Sequence, residues 1–587
     1  MFLRLTSSAL AICLVTAPAA FSLTPDEVWD GWVKYYSSMG YKLAEGAREQ
    51  AGETLTIKDV VLTQDNPTSK INMQLGQLVL QGTGDGGVRT TMPDTIPAHI
   101  EVTQDKEKPV LLDLTMKLPG AEILSTGDLD NRTDRMTLPT ATLTFDKVEL
   151  PAESRTMNNV ASVTATDMVS ETVTRGGTAY TSNSTIAKLD YTLDVAEDPG
   201  ANAEGDQGSI KGKGSLEKLA VDAEVTLPAG GSIANLEENI AKALNDGLTI
   251  KGKLSGGAGT HSFDYTSKPK EGTASNGTVA ATVGSLAASF DMAASGIGYK
   301  VEGTNSETSI TDSQLPAPIT YKLDKGAFGV MVPISKSDAP SPFSLTYLVS
   351  GLTLGDSLWD LADPAKKLPR TPANIDIDVS GLARVTDDLL DPAVMDKAAG
   401  GDESHAATST ETPDATTTEA PDAATPTDKP AEDAAKPETD TSAAPDAATE
   451  TAPDAATNGA TDTTAETASP DDEEPSDNPM PFDPVELTIN KFAVDALGAK
   501  ISAEGALKGA AGGSLKTPVG TLHARMEGIN KLIDTLVAMG VVKSEQVQGY
   551  RMMLAMFTKT TEGSDVMTSD IEFKEDGSIL ANGQQIK

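Results

Sequence analysis

The stretch LDYTLDV (residues 189–195) indicates the fold class, because its apolar and polar residues alternate one by one. Successive side chains of a β-strand point to opposite faces, so this pattern separates an apolar face from a polar one. The same alternation recurs at residues 112–118, 219–227 and 375–380. We therefore predict a mainly β protein, a β-rich α+β fold built on a large twisted antiparallel sheet or groove.

Two local signals indicate where strands bend and turn. In residues 71–80 the apolar positions change phase near Gly76, as they do at a β-bulge or bend. Residues 571–579 read IEFKEDGSI, so that Asp-Gly lies between two apolar stretches. This arrangement predicts a final hairpin with a tight turn.

Three helical elements interrupt the strands, and we expect them to cap the sheet. The first is predicted near 25–39, where Thr24 and Glu27 have the spacing of a capping box. The second is predicted at 233–245. The third is a C-terminal helical hairpin at 529–557, whose apolar residues recur at helical spacing.

Residues 1–22 have the pattern of a secretory signal peptide. One early charge, Arg4, precedes a short apolar run, and small residues follow it up to Ser22. The run is far shorter than the roughly 20 residues that a membrane-spanning helix needs. We therefore expect cleavage after Ser22, export, and no transmembrane segment in the mature chain.

Cys13 offers an alternative fate for this leader, because a bacterial lipoprotein carries its lipid on a cysteine. Bulky Ile12 stands where such a signal has a small residue, which favours cleavage over lipidation. A chain cleaved after Ser22 has no cysteine, so its fold cannot depend on disulfides.

An acidic low-complexity segment divides the chain. Residues 401–480 contain 21 Asp and Glu, two Lys, and no Leu, Ile, Val, Phe, Tyr or Trp. A segment with so little to bury cannot offset the entropy of ordering. We predict a disordered Ala/Thr/Pro/Asp linker at 396–480 between a β-rich part at 23–395 and a second one at 481–587, which packs back on the first.

Several kinds of chemistry are excluded or weakly supported. A net charge of −40 argues against nucleic-acid binding, because an acidic surface repels phosphate. The four histidines and one cysteine show no ligand spacing, so we predict no metal, cofactor or catalytic residue. Residues 128–134 resemble the start of a calcium loop, but Arg132 at the fifth position favours a polar turn. Asp376 and Asp378 share a strand face, which leaves a carboxylate-based hydrolase as the last alternative.

Two groups of apolar side chains are candidates for a ligand site or its lid. Aromatic and methionine side chains adapt to varied apolar partners. The plainer alternative is that both groups cap the sheet and fill its core. The candidates are Trp29, Trp32 and Tyr35 in the first helix, and Met552, Met553 and Phe557 in the C-terminal hairpin.

Three collinear stretches, 23–29, 354–372 and 529–583, resemble an uncharacterised family of exported alpha-proteobacterial proteins, the domain of unknown function number 2125. This resemblance covers nearly the whole mature chain except the linker, and it implies a periplasmic location in a Gram-negative envelope. The family brings no activity, cofactor or catalytic residue. The long strands are more loosely similar to AsmA-like envelope proteins, which build lipid-carrying β-grooves.

These observations favour a non-enzymatic periplasmic protein that binds an apolar, lipid-like ligand or an envelope partner. The alternative is a structural or interaction protein of the cell envelope that uses its acidic segment as a tether.

Deleting residues 401–479 should leave folding unchanged and alter partner capture, because the segment carries charge but almost nothing to bury. Thermal unfolding and a pull-down from envelope extracts compare the deletion variant with the full chain. An unchanged pull-down would count against a tethering role.

Overall fold

The computed structural model describes residues 23–66, 68–103, 108–150, 155–196, 207–228, 236–269, 272–391, 394 and 481–587. The predicted signal peptide (1–22), the predicted linker (396–480) and the first residues of the predicted second helix lie outside the described residues.

Strands dominate the described part of the chain, and all 27 of them join one antiparallel sheet, which confirms the mainly β prediction. The helices are α1 (Pro25–Ser38), α2 (Leu236–Asn245), α3 (Asp356–Ala362), α4 (Ile529–Ala538) and α5 (Ser544–Phe557). The first strands are β1 (Lys42–Ala44), β2 (Ala47–Ala51), β3 (Thr54–Asp65), β4 (Ser69–Gly82), β5 (Val88–Thr91), β6 (Thr95–Val102), β7 (Val110–Lys117), β8 (Glu122–Gly127), β9 (Arg132–Leu150), β10 (Arg155–Arg175), β11 (Ala179–Ala196) and β12 (Gln207–Thr226). They are followed by β13 (Thr249–Gly256), β14 (Gly259–Lys268), β15 (Ser275–Val283), β16 (Ser285–Ala293), β17 (Gly296–Asp312), β18 (Ile319–Val332), β19 (Ser337–Leu354) and β20 (Ala373–Val385). The last are β21 (Phe482–Ala496), β22 (Ala499–Gly509), β23 (Pro518–Glu527), β24 (Lys559–Thr560), β25 (Val566–Phe573), β26 (Ile579–Ala581) and β27 (Gln584–Gln585).

Most strands pair with the next strand along the chain, as in a meander. The pairing of β20 with β21 joins residues 373–385 directly to residues 482–496. The strands before and after the acidic segment are therefore neighbours in the same sheet.

Two parts of the sheet share one unusual layout. The long strands β4 and β9 are bridged by two short pairs, β5–β8 and β6–β7. The long strands β12 and β17 are bridged in the same way by β13–β16 and β14–β15. In both cases the four short strands follow each other in the chain, so residues 69–150 and 207–312 have the same connectivity.

Helix α1 begins with the predicted capping box. The Thr24 hydroxyl accepts a hydrogen bond from the Glu27 amide at 3.2 Å, and the Glu27 carboxylate accepts one from the Thr24 amide at 2.8 Å. These two bonds satisfy donors that the first helical turn would otherwise leave free. The helix then packs on the first strands and completes the larger of two buried apolar clusters in the described part. That cluster contains Leu23, Val28, Trp29, Leu43, Leu55, Ile57, Val60, Leu62, Leu78, Leu80 and Val88.

The predicted bend at Gly76 is confirmed. The register of the β3–β4 pair shifts where Val60 faces Gly76, and Gly76 has a φ of 68°. Glycine adopts this left-handed conformation without a steric penalty. The shift lets apolar residues on both sides of Gly76 face the same way.

The C-terminal helical hairpin and the final β-hairpin are also present. Gly528 precedes α4 with a φ of 73°, and a Cβ there would lie 2.5 Å from the Gly498 carbonyl oxygen. The first amides of α4 donate to Asp565, from Lys531 at 3.0 Å and from Asn530 at 3.3 Å. Although burial raises the pKa of Asp565, these hydrogen bonds outweigh it and lower the pKa below its usual value.

Candidate functional site

An apolar cavity of about 380 Å³ lies between α1 and the first part of the sheet. It sits where β4 and β9 are joined only through the two short strand pairs, and α1 contributes one wall. Its apolar lining includes four methionines. The lining residues are Trp32, Tyr35, Tyr36, Leu43, Leu62, Met73, Leu75, Leu78, Met92, Ile96, Met116, Leu118, Ile123, Arg132, Asp134, Met136, Ser170, Thr172, Thr174 and Tyr180.

Tyrosines form one wall of the cavity. The ring of Tyr35 meets the ring of Tyr180 edge to face, with centroids 4.9 Å apart, and it meets Tyr36 in the same way at 5.3 Å. Burial raises the pKa of each of the three hydroxyls above its usual value. All three phenols are therefore uncharged at neutral pH.

One buried ion pair lies in the cavity wall. The Nε of Arg132 donates to Asp134 Oδ2 at 2.8 Å, and the Ser125 hydroxyl donates to Asp134 Oδ1 at 2.5 Å. Helix α1 passes so close that a Cβ on Gly31 would lie 2.3 Å from Arg132 Nη1. The absence of a side chain at Gly31 therefore makes room for the guanidinium beneath the helix.

The loop before Arg132 forms the predicted polar turn. Asp128 Oδ1 accepts hydrogen bonds from the amides of Asp130 and Asn131, at 2.9 and 2.8 Å. This local bonding occupies the carboxylate that resembled a calcium ligand. No cluster of three His, Cys, Asp or Glu side chains within the described residues could hold a metal ion.

The structure separates the aromatic candidates of the first helix. Trp32 and Tyr35 line the cavity. Trp29 does not line the cavity, because it is only 1% exposed and belongs to the apolar core cluster, although it lies just three residues before Trp32 on the same side of α1. Trp29 is therefore a core residue, and of the three candidates in this helix only Trp32 and Tyr35 are placed to touch a ligand.

The C-terminal candidates lie elsewhere and do not line the cavity. Met552 and Met553 are 68% and 49% exposed on α5, and Met556, 57% exposed, extends the same face. Val547 is buried on the opposite side of the helix. Phe557 is half-buried at the end of α5. The two predicted groups thus belong to two separate surfaces.

Few sequence signals pointed to the residues that complete the cavity. Met116 belongs to an alternating strand, so its face could be assigned, but its partners across the cavity could not. Arg132 stood out only as a misfit in a calcium-like loop. Asp134 showed no signal beyond that loop.

The remaining candidate groups are paired with neighbours. His99 and His523 each contact an aspartate at 2.7 Å, Asp113 and Asp570 respectively. His261 contacts the Tyr191 hydroxyl at 2.9 Å.

The two aspartates considered for hydrolysis are also occupied. Asp376 forms an ion pair with Lys491 at 2.5 Å. Asp378 accepts a hydrogen bond from the Asn490 side chain at 3.0 Å.

Among the described helices, none has the length and hydropathy that a membrane crossing demands.

Comparison with protein families finds a match in the C-terminal half. Residues 337–582 are similar to a bacterial family described as "Uncharacterized protein conserved in bacteria (DUF2125)". The match contains the stretch 354–372 and nearly all of 529–583, but it leaves out 23–29, so it is narrower than the resemblance expected from the sequence. No curated protein and no solved structure matches the chain. The cavity, built from residues 32–180, lies outside the matched region, whereas α3, α4 and α5 lie inside it.

Replacing each of the two tryptophans of α1 by alanine should show which one is a core residue and which one lines the cavity, because the two losses of stability should differ. Trp29→Ala should lower the free energy of unfolding by about 3–5 kcal/mol, because it empties a packed site. Trp32→Ala should cost about 1–2 kcal/mol, because its side chain is only half-buried. Denaturant unfolding measures both, and equal losses would contradict the assignment of Trp32 to the cavity.

Proposed function

We propose that this chain is an exported, periplasmic, non-enzymatic protein that binds one apolar, lipid-like chain in the cavity under α1. The observation that carries the proposal is the cavity itself, about 380 Å³ in volume and lined mainly by apolar and aromatic side chains. Ligand sites typically combine such a lining with a few polar groups. Here Arg132 and Asp134 are the charged ones.

The size and lining of the cavity favour a single chain. Its volume lies near the lower end of the roughly 300–1,000 Å³ typical of ligand sites. Met73, Met92, Met116 and Met136 supply flexible side chains that adjust to a chain of variable shape. A ligand with one hydrocarbon chain suits this volume better than one with two.

The proposed export rests on residues 1–22, and the fold is compatible with cleavage after Ser22. Leu23 is buried in the apolar core, and its backbone nitrogen donates to the Gly86 carbonyl at 3.1 Å. Cleavage at Ser22 keeps this residue, whereas cleavage a few residues later would remove a core side chain and the cap at Thr24.

Mass spectrometry of the protein purified from the periplasm without detergent tests the proposal. We expect a chain that begins at Leu23 and one bound lipid-like molecule per protein. Met116→Trp should reduce the bound amount at least about tenfold, because the larger ring fills part of the cavity. The matched control is Leu345→Trp, since Leu345 is exposed on β19 and does not line the cavity.

Two results would contradict the proposal. A ligand-free wild-type protein that also fails to take up an added apolar probe would exclude the carrier role. Equal loss of ligand in Met116→Trp and Leu345→Trp would show that binding occurs outside the cavity.

An envelope partner is the second candidate, and the exposed face of α5 is the observation that favours it. Met552, Met553 and Met556 lie within about 100° of the helix circumference, and none of them is buried. Methionines on a surface are typical of sites that contact varied apolar partners. The family match covers this helix as well.

Site-specific photo-crosslinking in cells tests this candidate. A crosslinker at Met553 should capture a defined envelope protein, and Met552→Gln with Met556→Gln should abolish the product. A crosslinker at Tyr347, which is exposed on β19, is the matched control. The same product from both positions would reject α5 as a specific contact surface.

A further inference from the structure

We propose that the ligand of the cavity has an uncharged headgroup with a hydrogen-bond acceptor, such as an ester carbonyl, and that the Nη groups of Arg132 bind it. This inference rests on the proposed function, because it assigns the polar end of a molecule whose apolar chain fills the cavity.

The first argument is the incomplete bonding of Arg132. The residue is only 5% exposed and lines the cavity. Its one hydrogen bond to the described part of the protein runs from Nε to Asp134 Oδ2. The two Nη groups therefore have no protein acceptor there, although a guanidinium offers five N–H donors. Because Arg132 lines the cavity, its Nη groups are open to a molecule that enters it, and a ligand acceptor there can form a charge-assisted hydrogen bond with them.

The second argument is the position of the guanidinium. Gly31 leaves room for Nη1 directly beneath α1, and Tyr36 and Tyr180 lie on the same stretch of cavity wall. The apolar lining on β4, β6 and β7 provides the surface for a hydrocarbon chain. An amphiphile bound with its chain against these strands can place its headgroup at Arg132.

The third argument concerns charge. Asp134 already balances the charge of Arg132, and its other oxygen accepts a hydrogen bond from Ser125. An anionic headgroup would add an unbalanced negative charge to a site that is poorly solvated. The charge of Asp134 adds to the effect of burial in raising the pKa of Tyr36, whereas the charge of Arg132 acts in the opposite direction on the pKa of Tyr180, so the two charges of the pair offset each other along the cavity wall. A neutral acceptor uses the free donors without this cost.

Three probes with the same chain length test the headgroup: methyl laurate, laurate and dodecane. Displacement of a bound fluorescent apolar dye gives their dissociation constants with the full-length mature protein. We expect methyl laurate to bind about tenfold more tightly than either dodecane or laurate.

A paired substitution tests the role of Arg132. Arg132→Met with Asp134→Asn removes both charges together, so that neither is left buried alone, and the amide oxygen of the new side chain can still accept from Ser125. This variant should bind dodecane as the wild type does and lose the tenfold preference for methyl laurate. Arg132→Lys, which keeps the charge and a donor, should retain part of the preference.

The outcomes separate this inference from the proposed function. If all three probes bind equally, or laurate binds most tightly, the headgroup assignment is overturned while an apolar-ligand site remains. If no probe binds the wild type, the proposed function itself fails. If the paired variant does not fold, as judged by thermal unfolding, the wild-type probe series alone decides.

Discussion

Backbone hydrogen bonding between antiparallel strands is the interaction on which the rest of this protein depends. Each of the 27 described strands pairs with at least one neighbour, and several strands are long, with 21 residues in β10 and 20 in β12. In the described part of the chain, buried apolar side chains form a large cluster at α1 and a small one at α2, and the others are spread along the sheet. Over most of the sheet the ladder therefore satisfies the backbone and fixes which side chains share a face.

The cavity lies where the sheet between β4 and β9 is made of two short strand pairs. Between β4 and β9 the sheet runs through two short strand pairs instead of one long strand, and residues from both pairs reach the space below α1. The helix covers this space through Val28 and Trp29, which are buried on its strand-facing side. Val28 and Trp29 thus anchor the helix to the strands, and Trp32 and Tyr35, further along the same helix, line the cavity.

Charge has two different roles in this acidic chain. Many ion pairs among the described residues join side chains on neighbouring strands, such as Lys322 with Glu307 and Lys325 with Glu302, both at 3.0 Å. Exposed pairs of this kind contribute little to stability, typically about 0–1 kcal/mol. The Arg132–Asp134 pair differs because both partners are largely shielded from water. This pair places the N–H donors of Arg132 beside the apolar lining of the cavity.

Sequence alternation alone was enough to predict the antiparallel sheet. The capping box of Thr24 and Glu27, the bend at Gly76 and the final turn at Asp576-Gly577 were also predictable. Each of these features depends on residues that are close together in the chain. Local propensity and periodicity are sufficient when the interacting residues lie within one element or one turn.

Only the tertiary structure decided which residues meet: it placed Trp29 in the core and Trp32 in the cavity, although both lie on one short helix. It also separated α5 from the cavity and gave Arg132 its place beneath α1. Beyond its pairing with β3, β4 pairs with both β5 and β6, and strand pairing of this kind joins residues far apart in sequence. Alternation specifies the face of a side chain but not its partner across the sheet, so local pattern determined the fold class and long-range register determined the site.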